Sequence, residues 1–305
     1  MTKPPSTDLE KYPHLDKKTQ DKADLADEVR KSAIRAGTWI ALAHVKLALK
    51  KLEELRTYPK VTRMPCLLLV GAPFSGKTSI LEHFRDQHPP DMDPAAETMH
   101  CEVLMIDAPP KPDLADFYSR ILDALMAPYK PTAPAYAKYS QVKLLFKQLG
   151  VRVLIIDEIH HLIAGSQNRQ REFRNALKSL GNETKVCIVA AGIDEAYTAF
   201  NADAQLSSRF MPMELPKWSP GEKLGTLLAT LEKRTPLRNA SGLHQPQLML
   251  AIHSRAESNL GDICDLVKEA AVAAIDTGQE CISEKLIAGL DWVPPSKRRM
   301  YRPKL

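Results

Sequence analysis

The fold is decided by the stretch Cys66-Leu67-Leu68-Leu69-Val70-Gly71-Ala72-Pro73-Phe74-Ser75-Gly76-Lys77-Thr78. Its first five residues are apolar and predict a buried strand, and residues 79–86 have the pattern of a helix. Residues 71–78 match Gly-x-x-x-x-Gly-Lys-[Ser/Thr], whose four fixed positions coincide by chance in about one of a few hundred such chains. The order strand, glycine-rich loop and helix is the context in which this pattern binds nucleotide phosphates.

The residue types of this loop suit a nucleotide with bound Mg²⁺. Backbone N–H groups of such a loop, with the N-terminus of the following helix, surround phosphate oxygens. We expect Lys77 to neutralise the β- and γ-phosphates during catalysis, and the Thr78 hydroxyl to bind Mg²⁺. The predicted ATP-binding residues are Gly71, Ala72, Pro73, Phe74, Ser75, Gly76, Lys77, Thr78 and Ser79. The alternative, a chance glycine turn with an exposed lysine, is disfavoured by the strand, loop and helix context.

A second apolar run, Val153-Leu154-Ile155-Ile156-Asp157-Glu158, ends in two carboxylates. A buried parallel strand presents its last residues at the carboxyl edge of the sheet, where α/β folds bind ligands. We expect Asp157 to hold Mg²⁺ and Glu158 to act as the general base on the attacking water. A strand that ends in acids only for solubility is the alternative, and the preceding phosphate-binding pattern disfavours it.

The next residues, His160 and His161, raise the question of a metal site. No further Cys or His lies at ligand spacing, so phosphate sensing, a helix start or packing is favoured instead. The five cysteines are scattered and odd in number, which predicts reduced, mostly buried thiols.

Strand-like runs alternate with helical patterns over the first two thirds of the chain. Further strand-like runs cover residues 102–106, 151–156 and 186–191, and helical patterns cover residues 113–126, 137–149 and 170–180. The alternation predicts an α/β fold with a parallel sheet covered on both faces. Beyond Leu215-Pro216-Lys217-Trp218 the patterns are helical, and Ser219-Pro220-Gly221-Glu222 is read as the capping box of the first helix. The predicted regions are an N-terminal arm and helical segment (1–60), an α/β nucleotide-binding domain (61–217), a small all-helical lid domain (218–292) and a basic tail (293–305).

The two ends of the chain differ in composition from its middle. Residues 1–22 lack periodicity and are predicted to be a mobile arm. Residues 296–305 hold five of the 42 basic residues and no acid, so the net charge of +5 resides in a tail expected to be disordered alone. The polar start and the absence of any run near the ~18–20 apolar residues of a membrane span predict a soluble, intracellular protein without a membrane partner.

One arginine precedes the predicted boundary between the domains, in Gln205-Leu206-Ser207-Ser208-Arg209-Phe210. An arginine at this place can reach the γ-phosphate held by a neighbouring subunit, so Arg209 is the candidate arginine finger. The alternative is a surface or salt-bridged arginine.

With these residues placed, the chain resembles the TniB family of transposition proteins, relatives of the AAA+ regulators TnsC and MuB. The resemblance covers most of the chain. It is carried by residues 71–78, Ile156-Asp157-Glu158-Ile159-His160, Asn175-Ala176-Leu177-Lys178-Ser179-Leu180-Gly181-Asn182-Glu183, Gln205-Leu206-Ser207-Ser208-Arg209-Phe210, Leu215-Pro216-Lys217-Trp218 and Pro236-Leu237-Arg238. The last three stretches are much more specific than the ATPase motifs.

The resemblance implies an AAA+ ATPase of the prokaryotic cytoplasm that uses ATP and Mg²⁺, binds double-stranded DNA and assembles with itself into a ring or helical filament. It also implies a role in DNA transposition and integration. Such a protein marks a target site, interacts with a TniQ-like targeting protein and recruits or activates a DDE transposase. Some related transposons are guided by CRISPR complexes, and the sequence leaves the guided and the unguided setting open.

Two positions depart from the usual AAA+ pattern. The strand after the second motif ends in Ala190-Ala191-Gly192 where a polar sensor is usual, and the lid has Gly261-Asp262-Ile263-Cys264 where Gly-Asp-x-Arg is common. We therefore expect slow hydrolysis, stimulated by DNA or partners, or a water positioned by another residue.

DNA contacts are expected from basic residues in two stretches. The candidates are Lys111, Lys130 and Lys138, with Tyr129, Tyr136 and Tyr139 nearby, and Asn168, Arg169, Arg171 and Arg174. Such residues can line the interior of a ring and contact backbone phosphates without reading bases. A solvated charged face is the alternative.

Two other functions share the same nucleotide site. One is a helicase loader or DnaC-like ATPase of replication, and the other is a nucleotide switch of the STAND type. The stretches Ser207-Ser208-Arg209-Phe210 and Leu215-Pro216-Lys217-Trp218 favour transposition over the first. The second normally carries repeats or effector domains, whereas only a short segment follows the predicted lid.

Overall fold

The structure, a computed structural model, describes residues 11–91, 99–162, 167–201 and 204–298. The chain divides into two compact units, Ala43–Pro216 and the combination of Met1–Leu42 with Lys217–Leu305. We call the first the α/β unit and the second the helical unit. Among the described residues, no helix has the length and apolar character needed to cross a membrane.

The helices and strands follow one another in chain order. The helical unit begins with α1 (Lys17–Ala23) and α2 (Asp27–Ala36). The α/β unit contains α3 (Ala43–Arg56), β1 (Cys66–Val70), α4 (Lys77–Asp86), β2 (Val103–Asp107), α5 (Leu114–Ala124), α6 (Ala135–Gln148), β3 (Val153–Asp157), a 3₁₀ helix (Ile159–Leu162), α7 (Gln167–Thr184), β4 (Cys187–Gly192), α8 (Asp194–Asn201), α9 (Ala204–Ser207) and β5 (Phe210–Glu214). The helical unit continues with α10 (Glu222–Arg234), α11 (Pro246–Ala256), α12 (Leu260–Asp276), α13 (Glu284–Gly289) and α14 (Pro295–Arg298).

The core of the α/β unit is a five-stranded sheet in the order β2-β3-β4-β1-β5, and every pairing is parallel. Leu68 of β1 lies level with Ala190 of β4 on one side and with Pro212 of β5 on the other. The strands β1, β3 and β4 are buried along their whole length, as expected for parallel strands covered on both faces. The predicted α/β fold with a parallel sheet is confirmed.

The edge strand β5 is the one described strand that the sequence analysis does not predict. Phe210 and Met213 are buried, whereas Met211, Pro212 and Glu214 are exposed. Such a pattern is not a continuous apolar run, and a proline argues against a central strand. On the edge of the sheet Pro212 is tolerated, because its missing N–H is not needed on the outer side.

The start of the described chain is folded, so the predicted mobile arm is wrong for residues 11–22. The side chain of Asp16 caps α1 by accepting from the Thr19 N–H at 2.9 Å. Tyr12 and Leu15 are buried, and the Asp16 N–H donates to the carbonyl of Lys233 in α10 at 2.9 Å. The first ten residues of the predicted arm lie outside the described residues.

The predicted N-terminal segment of residues 1–60 is divided between the two units. Helix α2 packs on α12 of the helical unit, whereas α3 packs on α4 and β4 of the α/β unit. Local periodicity predicts helices here but carries no information about which core each helix joins, because that depends on distant residues.

Helix α10 begins without the predicted capping box. Gly221 occupies the N-cap position, and no side chain caps the helix. Its φ of 150° is a positive value that glycine adopts readily, and both Ser219 and Pro220 precede the helix.

The beginning of the predicted disordered tail is also folded. The hydroxyl and the N–H of Ser296 donate to the carboxylate of Glu257 at 2.6 and 2.8 Å. The guanidinium of Arg298 lies over the ring of Trp292 and pairs with the buried carboxylate of Asp262 at 2.5 Å. The remaining tail, residues 299–305, lies outside the described residues.

A buried ion pair joins α2 to the rest of the helical unit. The Arg30 side chain is fully buried, and its two terminal nitrogens donate to the two Glu280 oxygens at 2.8 and 2.6 Å. The same guanidinium donates to the carbonyl of Pro236 at 3.1 Å. Arg238 also contacts Glu280, through its N–H at 3.2 Å and its guanidinium at 3.3 Å. This network explains, in structural terms, two residues of the TniB-like stretch 236–238.

Arg30→Met is expected to lower the free energy of unfolding of the helical unit by about 3 kcal/mol, the lower end of the range for a broken buried ion pair, because Glu280 keeps only the longer contacts from Arg238. Urea unfolding followed by tryptophan fluorescence measures this directly, since all three tryptophans, Trp39, Trp218 and Trp292, lie in the helical unit. Arg35→Met, at an exposed position of α2, is the control. The double variant Arg30→Met/Glu280→Gln should recover part of the loss, and no recovery would contradict the pairing.

The same pair predicts a pH dependence. Hydrogen bonds from Arg30 hold the pKa of Glu280 below its ordinary value of 4.5, against the opposing effect of burial. A depressed pKa stabilises the folded state above pH ~4.5, and this stabilisation is lost as the pH falls toward the folded-state pKa. The stability difference between the native chain and Glu280→Gln should therefore be full at pH 7 and shrink steadily below pH ~4.5.

Candidate nucleotide-binding site

The glycine-rich loop leaves β1 at the carboxyl edge of the sheet and leads directly into α4. The Gly71 N–H donates to the carbonyl of Gly192, the last residue of β4, at 3.2 Å. Phe74 and Gly76 have φ of 60° and 90°, and such a left-handed backbone favours glycine at the second position. Helix α4 begins without a side-chain cap, so no side chain of the cap residue competes with a bound anion for its first N–H groups.

The first turn of the loop has no room for a side chain at Gly71. A Cβ there would lie 2.6 Å from the Ser75 hydroxyl and 3.2 Å from the Leu215 Cβ. The Ser75 hydroxyl is buried and has no hydrogen-bond partner among the described residues. An unpaired buried hydroxyl costs about 1–3 kcal/mol, and a phosphate oxygen seated in the loop would satisfy it.

The Lys77 side chain lies within this loop. Its ammonium is buried and donates to the carbonyls of Gly71 and Ala72 at 2.9 and 3.0 Å. Burial lowers the pKa of Lys77, while the nearby carboxylates of Glu158, Asp157 and Asp194 oppose that shift. The Lys77 ammonium thus binds the loop carbonyls and lies near the carboxylates at the ends of β3 and β4.

The predicted Mg²⁺ ligands are adjacent. The Thr78 hydroxyl donates to Asp157 Oδ2 at 2.6 Å, and Asp157 is almost completely buried at the end of β3. A hydroxyl and a carboxylate are the hard oxygen ligands that Mg²⁺ takes at nucleotide sites. The two residues therefore fit the ion that the sequence predicts.

The predicted general base follows at once. Glu158 has a left-handed backbone with φ of 52°, and its N–H donates to Asp157 Oδ1 at 2.8 Å. Its carboxylate lies 3.1 Å from Nδ1 of His160. Glu158 thus lies beside Asp157 and close enough to Lys77 for the two charges to interact.

Two carboxylates near the site were not predicted. Local patterns indicate only the apolar end of β4, whereas Asp194 and Glu195 begin α8 after the single intervening residue Ile193. The charge of Asp194 acts on Lys77, and that of Glu195 acts on His160. The signal available in the sequence is an Asp-Glu pair within two residues of the end of a buried strand, close to the arrangement at 157–158.

The candidate arginine finger lies at the other end of the sheet. The carbonyl of Arg209 accepts from the N–H of Cys66, the first residue of β1, at 3.1 Å. Five residues of β1 at about 3.3 Å each separate this amino edge from the glycine-rich loop by roughly 16 Å. Arg209 and the nucleotide loop of one chain are therefore on opposite edges of the sheet.

The guanidinium of Arg209 has a partner that the sequence analysis does not single out. Its Nη1 donates to Oδ1 of Asn182, in the last turn of α7, at 2.8 Å. This bond uses one of the five N–H groups of the guanidinium. Asn182 belongs to the TniB-like stretch 175–183, but sequence spacing does not indicate that it meets a residue 27 positions away.

With this geometry in place, comparison with known proteins identifies the family. The sequence matches the family described as Bacterial TniB protein over residues 30–220, more than half of the chain. The chain belongs to the TniB family. It is also similar to the chaperone protein ClpC4, chloroplastic, of Oryza sativa subsp. japonica, with 28% identity over 171 residues. That match covers 55% of this chain and 17% of ClpC4, so the chain spans less than a fifth of this relative.

Solved structures share the fold of this TniB-family chain. The ORC2 protein of Aeropyrum pernix, in ADPNP-ADP complexes, has a TM-score of 0.55 and 18% identity, over 82% of this chain and 67% of that one. Drosophila ORC bound to DNA has a TM-score of 0.55 and 16% identity, over 87% of this chain and 65% of that one. Identities this low establish the AAA+ fold alone. The family and the fold together make the chain a TniB-family protein with an AAA+ fold.

The residues predicted to contact DNA differ in how far their side chains are exposed to solvent. Lys111, Lys130, Arg169 and Arg171 are exposed, and Arg174 is half-buried. Lys111 follows β2, and Arg169 and Arg171 lie in the first turns of α7 after β3. Because β2 and β3 are neighbours, these segments leave adjacent strands at the same carboxyl edge.

Lys138 does not belong to this group, and its prediction as a DNA contact is wrong. Its side chain is buried, and its ammonium donates to the Ser119 hydroxyl at 2.8 Å and to the carbonyl of Pro131 at 3.0 Å. The ammonium also lies 5.1 Å from the centre of the Tyr129 ring, a cation–π contact. Lys138 therefore holds the connection between α5 and α6 and is not accessible to phosphate.

The histidine pair lies in the 3₁₀ helix, with ring centroids 4.4 Å apart. Within the described parts of the chain, no group of three or more His, Cys, Asp or Glu residues could hold a metal ion. Cys66, Cys101 and Cys187 are buried thiols, and Cys264 and Cys281 are partly exposed.

Gly71→Ala is expected to weaken binding of a fluorescent ATP analogue about tenfold or more, because the added Cβ overlaps Ser75 and overpacking costs about 1–3 kcal/mol. Gly225→Ala in α10 is the matched control, since a Cβ there meets nothing within 4 Å. That control should bind normally and unfold at slightly higher urea, as expected for alanine within a helix. Unchanged affinity in Gly71→Ala would show that the nucleotide lies elsewhere.

Proposed function

We propose that the chain is an ATP-dependent, DNA-binding, oligomeric regulator of DNA transposition, which selects target sites and recruits a DDE transposase. The observation that carries the proposal is the placement of Arg209 and the nucleotide loop on opposite edges of the sheet, in a chain of the TniB family. An arginine at this position cannot reach the γ-phosphate bound by its own chain, so it would contact the γ-phosphate bound by another copy. Assembly with itself, as a ring or a helical filament, follows.

The residues of one chain supply most of an ATP hydrolysis site. The loop backbone and the α4 N-terminus bind phosphates, and Lys77 places its ammonium against the β- and γ-phosphates. Thr78 and Asp157 would hold Mg²⁺, which when bound shields the charge of the phosphate oxygens. Glu158 accepts the proton of the attacking water. Slow ATP hydrolysis, stimulated by DNA or partners, is expected if each site is complete only when a neighbouring copy supplies its arginine.

Double-stranded DNA is the proposed polymer partner. Arg169, Arg171 and Lys111 provide exposed cations at the carboxyl edge of neighbouring strands. A solved structure of similar fold, Drosophila ORC, is bound to DNA, which supports the proposal by analogy. Contacts of this type recognise phosphates and not bases, so DNA binding should depend strongly on salt and weakly on sequence.

The protein partners in the proposal come from the family. A TniQ-like targeting protein would mark the target, and a DDE transposase would be recruited to the assembled chain in the prokaryotic cytoplasm. A link to CRISPR complexes would depend on the targeting protein.

Arg209→Ala should bind nucleotide normally but lose most ATP hydrolysis, because each site lacks the arginine of its neighbour. Lys77→Ala should fail in its own site while still donating Arg209. Mixing the two variants should therefore restore part of the ATPase activity, measured as released phosphate with DNA present. The double variant Lys77→Ala/Arg209→Ala is the control and should restore nothing.

One outcome of the mixing experiment would contradict action between subunits. If no ratio of the two single variants regains activity, while each still assembles on DNA in electron micrographs with a non-hydrolysable ATP analogue, action between subunits is excluded. Arg209→Lys should be intermediate, since lysine keeps the charge and loses the planar fork of donors.

Arg171→Ala should reduce the log–log salt slope of duplex DNA binding by about 0.9, the value for one lost phosphate contact. Arg169→Ala should do the same, and the double variant should lose about twice as much. Lys50→Ala, at an exposed position of α3 in the same unit, is the matched control and should leave the slope unchanged. An unchanged slope in the double variant would remove the start of α7 from the DNA surface.

A further inference from the structure

Helix α7 ends at a point where its backbone is fixed by contacts on two sides. Leu180 is completely buried in the hydrophobic core of the α/β unit. Glu183 accepts hydrogen bonds from the Tyr139 hydroxyl and the Lys143 ammonium of α6, both at 2.8 Å. Asn182 lies between these two anchored residues, so the place from which its side chain starts is fixed.

Arg209 likewise has a fixed backbone, but it carries a long and flexible side chain. Its N–H donates to the carbonyl of Leu206 at 2.9 Å, and its carbonyl accepts from the Cys66 N–H at 3.1 Å. An arginine side chain is among those that lose the most rotamer freedom when they are ordered. Without a side-chain partner, Arg209 would therefore present its guanidinium to a neighbouring copy in only a fraction of its conformations.

Asn182 supplies that partner through a single hydrogen bond. The Arg209 Nη1 donates to Asn182 Oδ1 at 2.8 Å, within the ordinary range for N–H···O, and both residues are half-buried. Among the described residues, this is the one hydrogen bond of the guanidinium. The edge formed by Nε and Nη2 keeps its donors, and such an edge is the planar fork that binds two oxygens of a phosphate.

The acceptor on Asn182 is an uncharged amide oxygen, so it holds the guanidinium without neutralising it. The adjacent residue is used in the same way, because the hydroxyl of Ser208 accepts from Arg63 at 2.5 Å. A carboxylate in place of the amide would form a stronger, charge-assisted bond and would compete with a phosphate for the guanidinium. The amide therefore combines orientation of the arginine with a positive charge that remains available.

We propose that Asn182 is a positioning residue for Arg209: its side-chain carbonyl limits the guanidinium to conformations that reach the γ-phosphate of a neighbouring copy and leaves the charge of the arginine free to act there. The inference rests on the proposed role of Arg209 as an arginine finger. It adds a requirement that the finger alone does not carry, since Asn182 must act in the copy that donates Arg209 and not in the copy that binds the ATP.

The test places Asn182→Ala on one or the other copy of a mixed assembly. Lys77→Ala donates Arg209 but lacks a working site, and Arg209→Ala supplies a working site but no finger. With Asn182→Ala added to the Lys77→Ala copy, phosphate release in the presence of duplex DNA should fall about tenfold, as expected when a hydrogen bond to a charged group is lost. With Asn182→Ala added to the Arg209→Ala copy, the rate should stay within about twofold of that of the unmodified mixture.

Two further variants complete the comparison. Asn182→Asp keeps the size of the side chain and the acceptor but adds a charge, so on the Lys77→Ala copy it should also lower the rate, by about threefold or more. Asn175→Ala, the same substitution at an exposed position of α7, is the matched control and should have no effect on either copy.

Equal losses on both copies, or no loss on either, would overturn the inference, because a purely structural role of Asn182 does not depend on which copy carries the change. A native rate for Asn182→Asp on the donating copy would overturn the requirement for an uncharged acceptor. If the unmodified mixture has no activity, action of Arg209 between subunits fails, and the inference fails with it. If Asn182→Ala does not fold, judged by urea unfolding, Asn182→Asp in the same two arrangements decides: a loss confined to the donating copy supports the inference, and equal losses overturn it.

Discussion

The hydrogen bond between Thr78 and Asp157 joins two halves of the nucleotide site that come from strands that are not neighbours. In the sheet order, β4 lies between β1 and β3, so the loop after β1 must reach across the end of β4. Gly192 at that end makes the crossing possible: its carbonyl fixes Gly71, and a Cβ on it would lie 2.8 Å from Ala196 and 2.9 Å from Ile159. Glycine at position 192 therefore follows from packing, next to the place where a polar sensor is usual.

The parts of the fold that depend on contiguous residues are predictable from the sequence. The positions of β1 to β4 and the roles expected around residues 71–78 and 157–158 depend on local apolar runs and on a motif of fixed spacing. The edge strand β5 is not predictable in this way, because Pro212 and two other exposed positions interrupt its apolar pattern. Its existence depends on pairing with β1, which is more than 140 residues earlier in the chain.

The same distinction explains the errors about individual side chains. A lysine in a proline-rich stretch beside tyrosines has the composition of a nucleic-acid surface. Lys138 is nevertheless buried, because the Ser119 hydroxyl and a carbonyl from the preceding loop accept hydrogen bonds from its ammonium. The acidic and basic residues at the ends of the chain are likewise used within the fold, Arg30 by Glu280 and Arg298 by Asp262. Charge counted along the sequence overestimates the charge offered to partners, since pairing partners such as Arg30 and Glu280 lie as many as 250 residues apart.

The opposite placement of Arg209 and the glycine-rich loop gives an assembly a direction. A contact in which the amino edge of one copy meets the carboxyl edge of the next uses two different surfaces, so it is heterologous and repeats head to tail. In an open array, the copy at one end would hold ATP that no neighbour can help to hydrolyse, and the copy at the other end would have an unused arginine. In the assembly proposed above, nucleotide would persist longest at the first of these ends, so growth and disassembly would be polar processes and the two flanks of the array would be chemically different.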